Sequence, residues 1–205
     1  MTDTAPRTLG PGDRAPDFDL PAADSEGRVS LVEHLRRGPL LLVMLRGLYC
    51  PFCRRQISQL RPACETLRTA GISLLGLVIA SPERARLYFR RFPPCFPIAA
   101  APDRTIHRAY GLPEVARTPE FGEETQRRAA AILHELGLEA PAGQATAVFT
   151  TANGFKLTPE DEAEMPRPLQ SIAFFLIGCD GVIRWTLADP RIVPLPPLEE
   201  LVSLV

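Results

Sequence analysis

Cys50 and Cys53, separated by Pro51 and Phe52, are the residues of this chain whose types and spacing suit chemistry. Two thiols at that spacing can hold and release one disulfide. A thiolate attacks a sulfur of a foreign disulfide, and its neighbour then displaces the mixed disulfide so formed. The local sequence assigns the two roles. With Cys50 at a helix N-cap, Pro51 takes the first helical position, where its missing N–H is no loss. The backbone N–H groups of Phe52 and Cys53 then point back at the Cys50 sulfur, beside the positive end of the helix dipole. Both effects favour the thiolate, and such settings bring a free-thiol pKa of about 8.5 into the range ~3.5–7.5. Arg46, Arg54 and Arg55 add positive charge close by in sequence. Cys50 is therefore expected to be the attacking nucleophile and Cys53 the more buried resolving thiol. Arg46, Gly47, Tyr49, Pro51 and Phe52 are the supporting residues.

Two blander readings compete: half of a zinc site, or a pair of buried structural thiols. Zinc needs about four ligands, yet Cys64, Cys95 and Cys179 are scattered singly and no two histidines stand at ligand spacing. No metal and no other cofactor is expected. Free cysteine can also serve as a small hydrophobe, and that is the expectation for Cys64, on the apolar stripe of the dithiol helix. For Cys95, between prolines and phenylalanines, packing at a strand edge is expected over a distant resolving role. Cys179 is expected to be exposed at a turn. His34, His107 and His134 lie at unrelated points and read as surface or satisfied core residues; Trp185 reads as packing.

The elements that must position the dithiol follow from periodicity. Leu40 to Leu45 is a continuous apolar run, as in a strand buried on both faces of a parallel sheet. Behind it, Ile57, Leu60, Cys64 and Leu67 recur at spacings of three and four, a helical stripe continuing to a stop at Gly71. A loop from Gly12 runs into a short strand at Leu20. A turn over Asp24–Arg28, a re-entry at Val29–Leu31 and a short helix at 32–37 precede the central strand. Ile72–Ile79 is the next strand, and Ser81-Pro82-Glu83 starts a helix to about Phe92. Phe96–Ala99 is a short strand and Asp103–Tyr110 a capped helix. This alternation argues for an α/β sheet. The pattern then changes over about 113–168, read as an insertion: a helix at 120–136, a hairpin at 145–157 turning at Asn153-Gly154, and an acidic surface loop or helix start at 160–164. The sequence leaves open whether this segment covers the dithiol or builds a dimer contact. Ile172–Ile177 and Val182–Leu187 form a second hairpin, and a proline-rich stretch leads to a terminal helix at about 197–204.

The 205 residues suffice for one domain with a good core, so 1–205 is expected to be a single domain. Basic residues number 23 and acidic 24, a balance that gives no reason to expect nucleic acid or an anionic membrane as partner. The first residues carry no apolar signal-like run, no stretch approaches the ~20 residues of a membrane span, and five cysteines are an odd number. These point to the cytoplasm and to thiols held reduced.

Taken in order, Gly12-Asp13-x-Ala15-Pro16-Asp17-Phe18-x-Leu20, Val29-Ser30-Leu31, Tyr49-Cys50-Pro51-Phe52-Cys53, Pro102-Asp103 to Tyr110-Gly111, and Phe174–Ile177 to Gly181 resemble the peroxiredoxin-like (AhpC/TSA, redoxin) branch of the thioredoxin superfamily. The resemblance spans most of 9–112 and again 170–187. It implies a thioredoxin-like mixed sheet flanked by helices, a thiol-dependent oxidoreductase, and Cys50 at the peroxidatic position. It also implies a thiol or disulfide partner, with peroxide as an alternative substrate, and a homodimer. The chain departs from the family's Pro-x-x-x-Thr-x-x-Cys, with Val43 and Gly47 at the Pro and Thr positions. The family's later arginine falls near Ile172 and is missing. Arg46 replaces it only if the loop turns it toward Cys50. Peroxide reduction needs donors placed around the breaking O–O bond, whereas dithiol exchange needs mainly an ionised sulfur and a resolver. The expectation is therefore a disulfide oxidoreductase, with thiol peroxidase as the alternative and a redox-inert interaction protein as the third reading. Pro168, the nearest counterpart of a thioredoxin cis-proline, is expected to be trans.

Overall fold

The structure is a computed structural model, and it describes residues 7–189 and 197–205. Short strands β1 (Asp19–Pro21) and β2 (Arg28–Ser30) pair antiparallel ahead of helix α1 (Leu31–Leu35), which Ser30 caps by accepting the Glu33 amide. The expected central strand is β3 (Leu40–Leu45), all six residues of which are fully buried. Its side chains alternate between faces as the pleat requires. Leu41, Val43 and Leu45 enter one core, and Leu40, Leu42 and Met44 the other.

The apolar stripe behind the dithiol does not form one helix. It forms α2 (Pro51–Gln59) and α3 (Arg61–Thr69), with Leu60 ending the first and starting the second. Pro62 explains the break, because it has no N–H to offer the Ser58 carbonyl and its ring crowds that carbonyl. Gly71, at φ +75°, ends α3 in the left-handed conformation as expected. Then come β4 (Ser73–Ile79) and α4 (Pro82–Arg91), whose Ser81 cap accepts the Arg84 amide. Strand β5 (Ile98–Ala101) lies two residues beyond its expected place, and α5 (Thr105–Ala109) is preceded by Asp103, which accepts the Thr105 amide.

The segment 113–168 opens with β6 (Glu114–Val115) and the long α6 (Pro119–Glu135). The hairpin expected at 145–157 is wrong: Ala145–Thr151 is helix α7. The β-branched run Thr146, Val148, Thr150, Thr151 favours a strand locally, but context overrides propensity. Ala145 and Phe149, four apart, bury one helical face, and Phe149 meets Phe52 edge-on at 5.2 Å. Gln126 of α6 accepts the Thr146 amide, occupying one of the free donors of the first turn. Asn153-Gly154 does turn the chain, but after a helix, with Gly154 at φ +66°. The acidic stretch is α8 (Pro159–Glu164), closed by a reciprocal Thr158–Asp161 capping box. It is no mere solvated patch, since Asp161 is buried against Arg84 at 2.7 Å.

Strand β7 (Leu169–Gln170) pairs with β6, so both ends of the segment are pinned together. The chain continues into β8 (Ile172–Ile177) and β9 (Ile183–Asp189), the expected hairpin. The proline-rich residues 190–196 lie outside the described residues, and α9 (Leu198–Val202) follows. The main sheet runs β5-β4-β3-β8-β9, with β3, β4 and β5 parallel and β8 and β9 joined antiparallel. This is a thioredoxin-like mixed sheet, with helices on its faces. No described helix is long and apolar enough to cross a membrane.

Candidate active site

The loop between the C-terminal end of β3 and α2 carries the dithiol. Cys50 is the α2 N-cap in extended conformation (φ −79°, ψ 109°), with Pro51 in the first turn. The Cys53 amide donates to Cys50 Sγ at 3.4 Å, the geometry expected from the sequence. Both are free thiols. Cys53 is 2% exposed and Cys50 4%, so both are nearly sealed, with Cys53 the deeper.

Of the three nearby cations, two reach the site. Arg46 is buried, its Nε donates to the Gln170 carbonyl at 2.8 Å, and its Nη1 lies 4.0 Å from Cys50 Sγ. The β6–β7 ladder that fixes Gln170 therefore aims the guanidinium. Arg54 is also buried, donating to the carbonyls of Leu48 (2.7 Å) and Thr150 (2.5 Å) and lying 3.6 Å over the Phe155 ring. Arg55 turns outward to Glu135.

The two thiols are driven apart in acidity. A hydrogen bond from the Cys53 side chain is the largest cause that lowers Cys50, to about 6. Burial opposes it, and the Arg46 charge, the Cys53 amide and the Arg54 charge add to it. The same thiol–thiol hydrogen bond, with burial and the Cys50 charge, pushes Cys53 well above the ordinary thiol value. These surroundings favour the thiolate at Cys50 and the protonated thiol at Cys53. Tyr49 is 9% exposed and burial raises its pKa, so it stays a phenol.

The surroundings of Cys50 come largely from the segment whose role the sequence left open. A cleft of about 630 Å³, its open mouth included, is lined by Arg46, Tyr49, Cys50, Pro51 and Phe52. Phe121, Glu124, Thr125 and Arg128 of α6, Thr146 and Thr150 of α7, and Arg117, Met165 and Leu169 complete its lining. Sequence reasoning missed these further lining residues and Gln170. Phe121, Thr125 and Arg128 do carry a signal, a spacing of four and three on one helical face, but nothing in it names the face that they meet.

Cys64 and Cys95 correct two expectations. They are bonded to each other across 31 positions, not separately packed. Cys64 is half-buried on α3 and Cys95 exposed in the loop before β5, so the reading of thiols held reduced fails for this pair. Cys179 is free and exposed, as expected. His107 is fully buried, and its Nε2 faces the Leu45 carbonyl at 3.1 Å; burial depresses its pKa to about 3, so it stays neutral. Trp185 is half-buried and donates to Glu200. Among the described residues no peptide bond is cis, so Pro168 is trans.

Known proteins resemble this chain in sequence and in fold. Two Mycobacterium tuberculosis proteins, each named "Putative peroxiredoxin" (MT2597 and Rv2521), are 31% identical over 103 residues. The match covers 50% of this chain and 64% of theirs, so it spans a little under two thirds of these relatives. Among solved structures, peroxidoxin BcpB from Mycobacterium tuberculosis superposes with a TM-score of 0.59 at 14% identity, covering 96% of both chains. A reduced Plasmodium vivax 2-Cys peroxiredoxin gives 0.57 at 16%, covering 93% of this chain and 77% of that one. At these identities the structures speak for the fold. The model of the AhpC/TSA family matches residues 11–138, more than half of the chain. The protein belongs to the AhpC/TSA family.

Proposed function

We propose that the protein is a thiol-disulfide oxidoreductase in which Cys50 attacks and Cys53 resolves. The Cys50 thiolate attacks one sulfur of a disulfide. A new S–S bond forms, and the other half leaves as a thiolate that takes up a proton. Cys53 then loses its proton and attacks Cys50 Sγ, releasing the second half as a thiol. The protein retains a Cys50–Cys53 disulfide, and the substrate has gained two electrons. The observation that carries this reading is geometric: the Cys50 sulfur caps the helix, accepts the Cys53 amide at 3.4 Å and lies 4.0 Å from the Arg46 guanidinium, a setting that lowers the pKa of the Cys50 thiol and raises that of Cys53. The near-sealed Cys50 lining a cleft favours a small-molecule substrate over a folded one. A thiol reductant must then restore the dithiol. Turnover of glutathione disulfide tests the reading. It is expected to vanish in Cys50→Ser, and in the oxidised wild-type protein the peptide that holds both cysteines is expected to be two hydrogen atoms lighter. Wild-type protein with no turnover and an unperturbed Cys50 is instead the redox-inert interaction protein.

A second reading, thiol peroxidase, is favoured by Arg46. The sequence lacks an arginine near Ile172, yet the loop turns Arg46 to within 4.0 Å of Cys50 Sγ. A guanidinium there can stabilise charge developing on a breaking O–O bond. Stopped-flow oxidation by hydrogen peroxide separates the two: sulfenate forming at Cys50 far faster than on a free thiol at the same pH selects the peroxidase.

A further inference from the structure

Tyr49 precedes the proposed nucleophile and lines the same cleft. Its ring is packed, with the residue 9% exposed, yet its hydroxyl is buried and meets no hydrogen-bond partner among the described residues. Buried polar groups are nearly always paired, and an orphaned one costs free energy. A phenol used only for packing would serve better as phenylalanine. The backbone has also made room for it. A Cβ at Gly47 would lie 2.9 Å from Tyr49 Cε1 and 3.1 Å from Cδ1, closer than real side chains tolerate, so any larger residue at 47 displaces the ring. Thr146, which lines the same cleft, likewise has a buried hydroxyl without a partner among the described residues.

These donors point to what completes them. Sulfur is a weak acceptor and oxygen a strong one. Arg46, held by the Gln170 carbonyl, adds a charged donor beside the nucleophile. We propose that Tyr49 is a catalytic residue whose hydroxyl donates a hydrogen bond to an oxygen of a hydroperoxide bound against Cys50. This rests on the peroxidase reading of the site. In the step, Cys50 Sγ attacks the terminal peroxide oxygen, an S–O bond forms and the O–O bond breaks. Sulfur is oxidised by two electrons and the hydroperoxide is reduced to its alkoxide, which leaves and is protonated by solvent. Tyr49 steadies that developing negative oxygen and keeps its own proton, since burial raises its pKa. Cys53 then attacks the sulfenic acid, giving the Cys50–Cys53 disulfide and water.

The test uses Tyr49→Phe in the full chain, with hydrogen peroxide and cumene hydroperoxide as oxidants and iodoacetamide alkylation of Cys50 as the control. The variant keeps the ring and loses only the donor. The expected result is a fall of about a hundredfold in the rate of Cys50 oxidation, with alkylation changed less than about twofold. Gly47→Ala, which displaces the ring, is expected to lose oxidation rate in the same direction. An unchanged peroxide rate in Tyr49→Phe overturns the proposal. So does an equal fall in alkylation, since the residue then tunes the sulfur and not the oxygen. Wild-type protein that turns over glutathione disulfide but meets peroxide no faster than a free thiol overturns the peroxidase reading itself, and is told apart by needing no variant.

Discussion

The molecule holds two cysteine pairs of opposite design. Cys50 and Cys53 share one helix turn and are free, and each is set by its immediate surroundings: a backbone amide, two buried arginines and the other thiol. Cys64 and Cys95 stand 31 positions apart, are bonded, and tie α3 to the loop before β5 at the surface. A pair at short spacing closes almost no chain, so its bond is of little use as a staple. What such a pair can hold is a difference in acidity. A pair closing a long loop restricts the unfolded chain instead, which by the chain-entropy account is worth about 3.5 kcal/mol here. On the proposed reading, one pair reacts and the other holds.

The largest effect should come from breaking the reactive pair. Cys50→Ser is expected to lower disulfide or peroxide turnover by more than about a thousandfold while leaving the melting temperature within a few degrees, as calorimetry and a turnover assay will show. Next comes the anchor of the segment that walls only this pair. Asp161→Ala leaves Arg84, 7% exposed, as an uncompensated buried charge and should cost about 3–5 kcal/mol in a denaturant titration. If the comparison is right, the Cys64–Cys95 bond stays intact in that variant by mass spectrometry. The double change Cys64→Ser, Cys95→Ser should destabilise by about 2–4 kcal/mol yet leave Cys50 alkylation unaltered. A large change in that rate would mean that the two pairs are coupled. Smallest is Arg46→Met, expected to slow Cys50 alkylation at pH 6 by about three- to tenfold, since losing the Arg46 charge moves the thiol back toward its ordinary value.

What was legible in the sequence divides along the same line. The reactive pair was readable because an N-cap, a proline at the first helical position and an amide two or three residues on are local facts. The six-residue strand β3 and the Ser81 cap were readable for the same reason. Pro62, which splits the dithiol helix, is a local signal too, but the apolar stripe runs unbroken across it and masks the split. Long-range facts were not readable. The Cys64–Cys95 bond depends on β4 carrying the chain from α3 to the loop before β5. The helix at Ala145–Thr151 depends on a partner surface on α2 and α6. Arg46 comes within 4.0 Å of Cys50 Sγ with its Nε held by the Gln170 carbonyl, which β7 brings to it. The Asp161–Arg84 pair turned an apparent solvated patch into an anchor, through residues 77 positions apart.

The central claim is that Cys50 is ionised near neutrality while Cys53 is not. The direct test is the pH dependence of iodoacetamide alkylation in a Cys179→Ser background, which removes the exposed free thiol. Below the Cys50 pKa the sulfur is protonated and slow, and above it the thiolate reacts. The rate at Cys50 should therefore climb between pH 5 and 7, pass half-maximum at about 6, and level off by about pH 8, with Cys53 unmodified throughout. A half-maximum near the ordinary thiol value of about 8.5, or Cys53 alkylated first, would contradict the account.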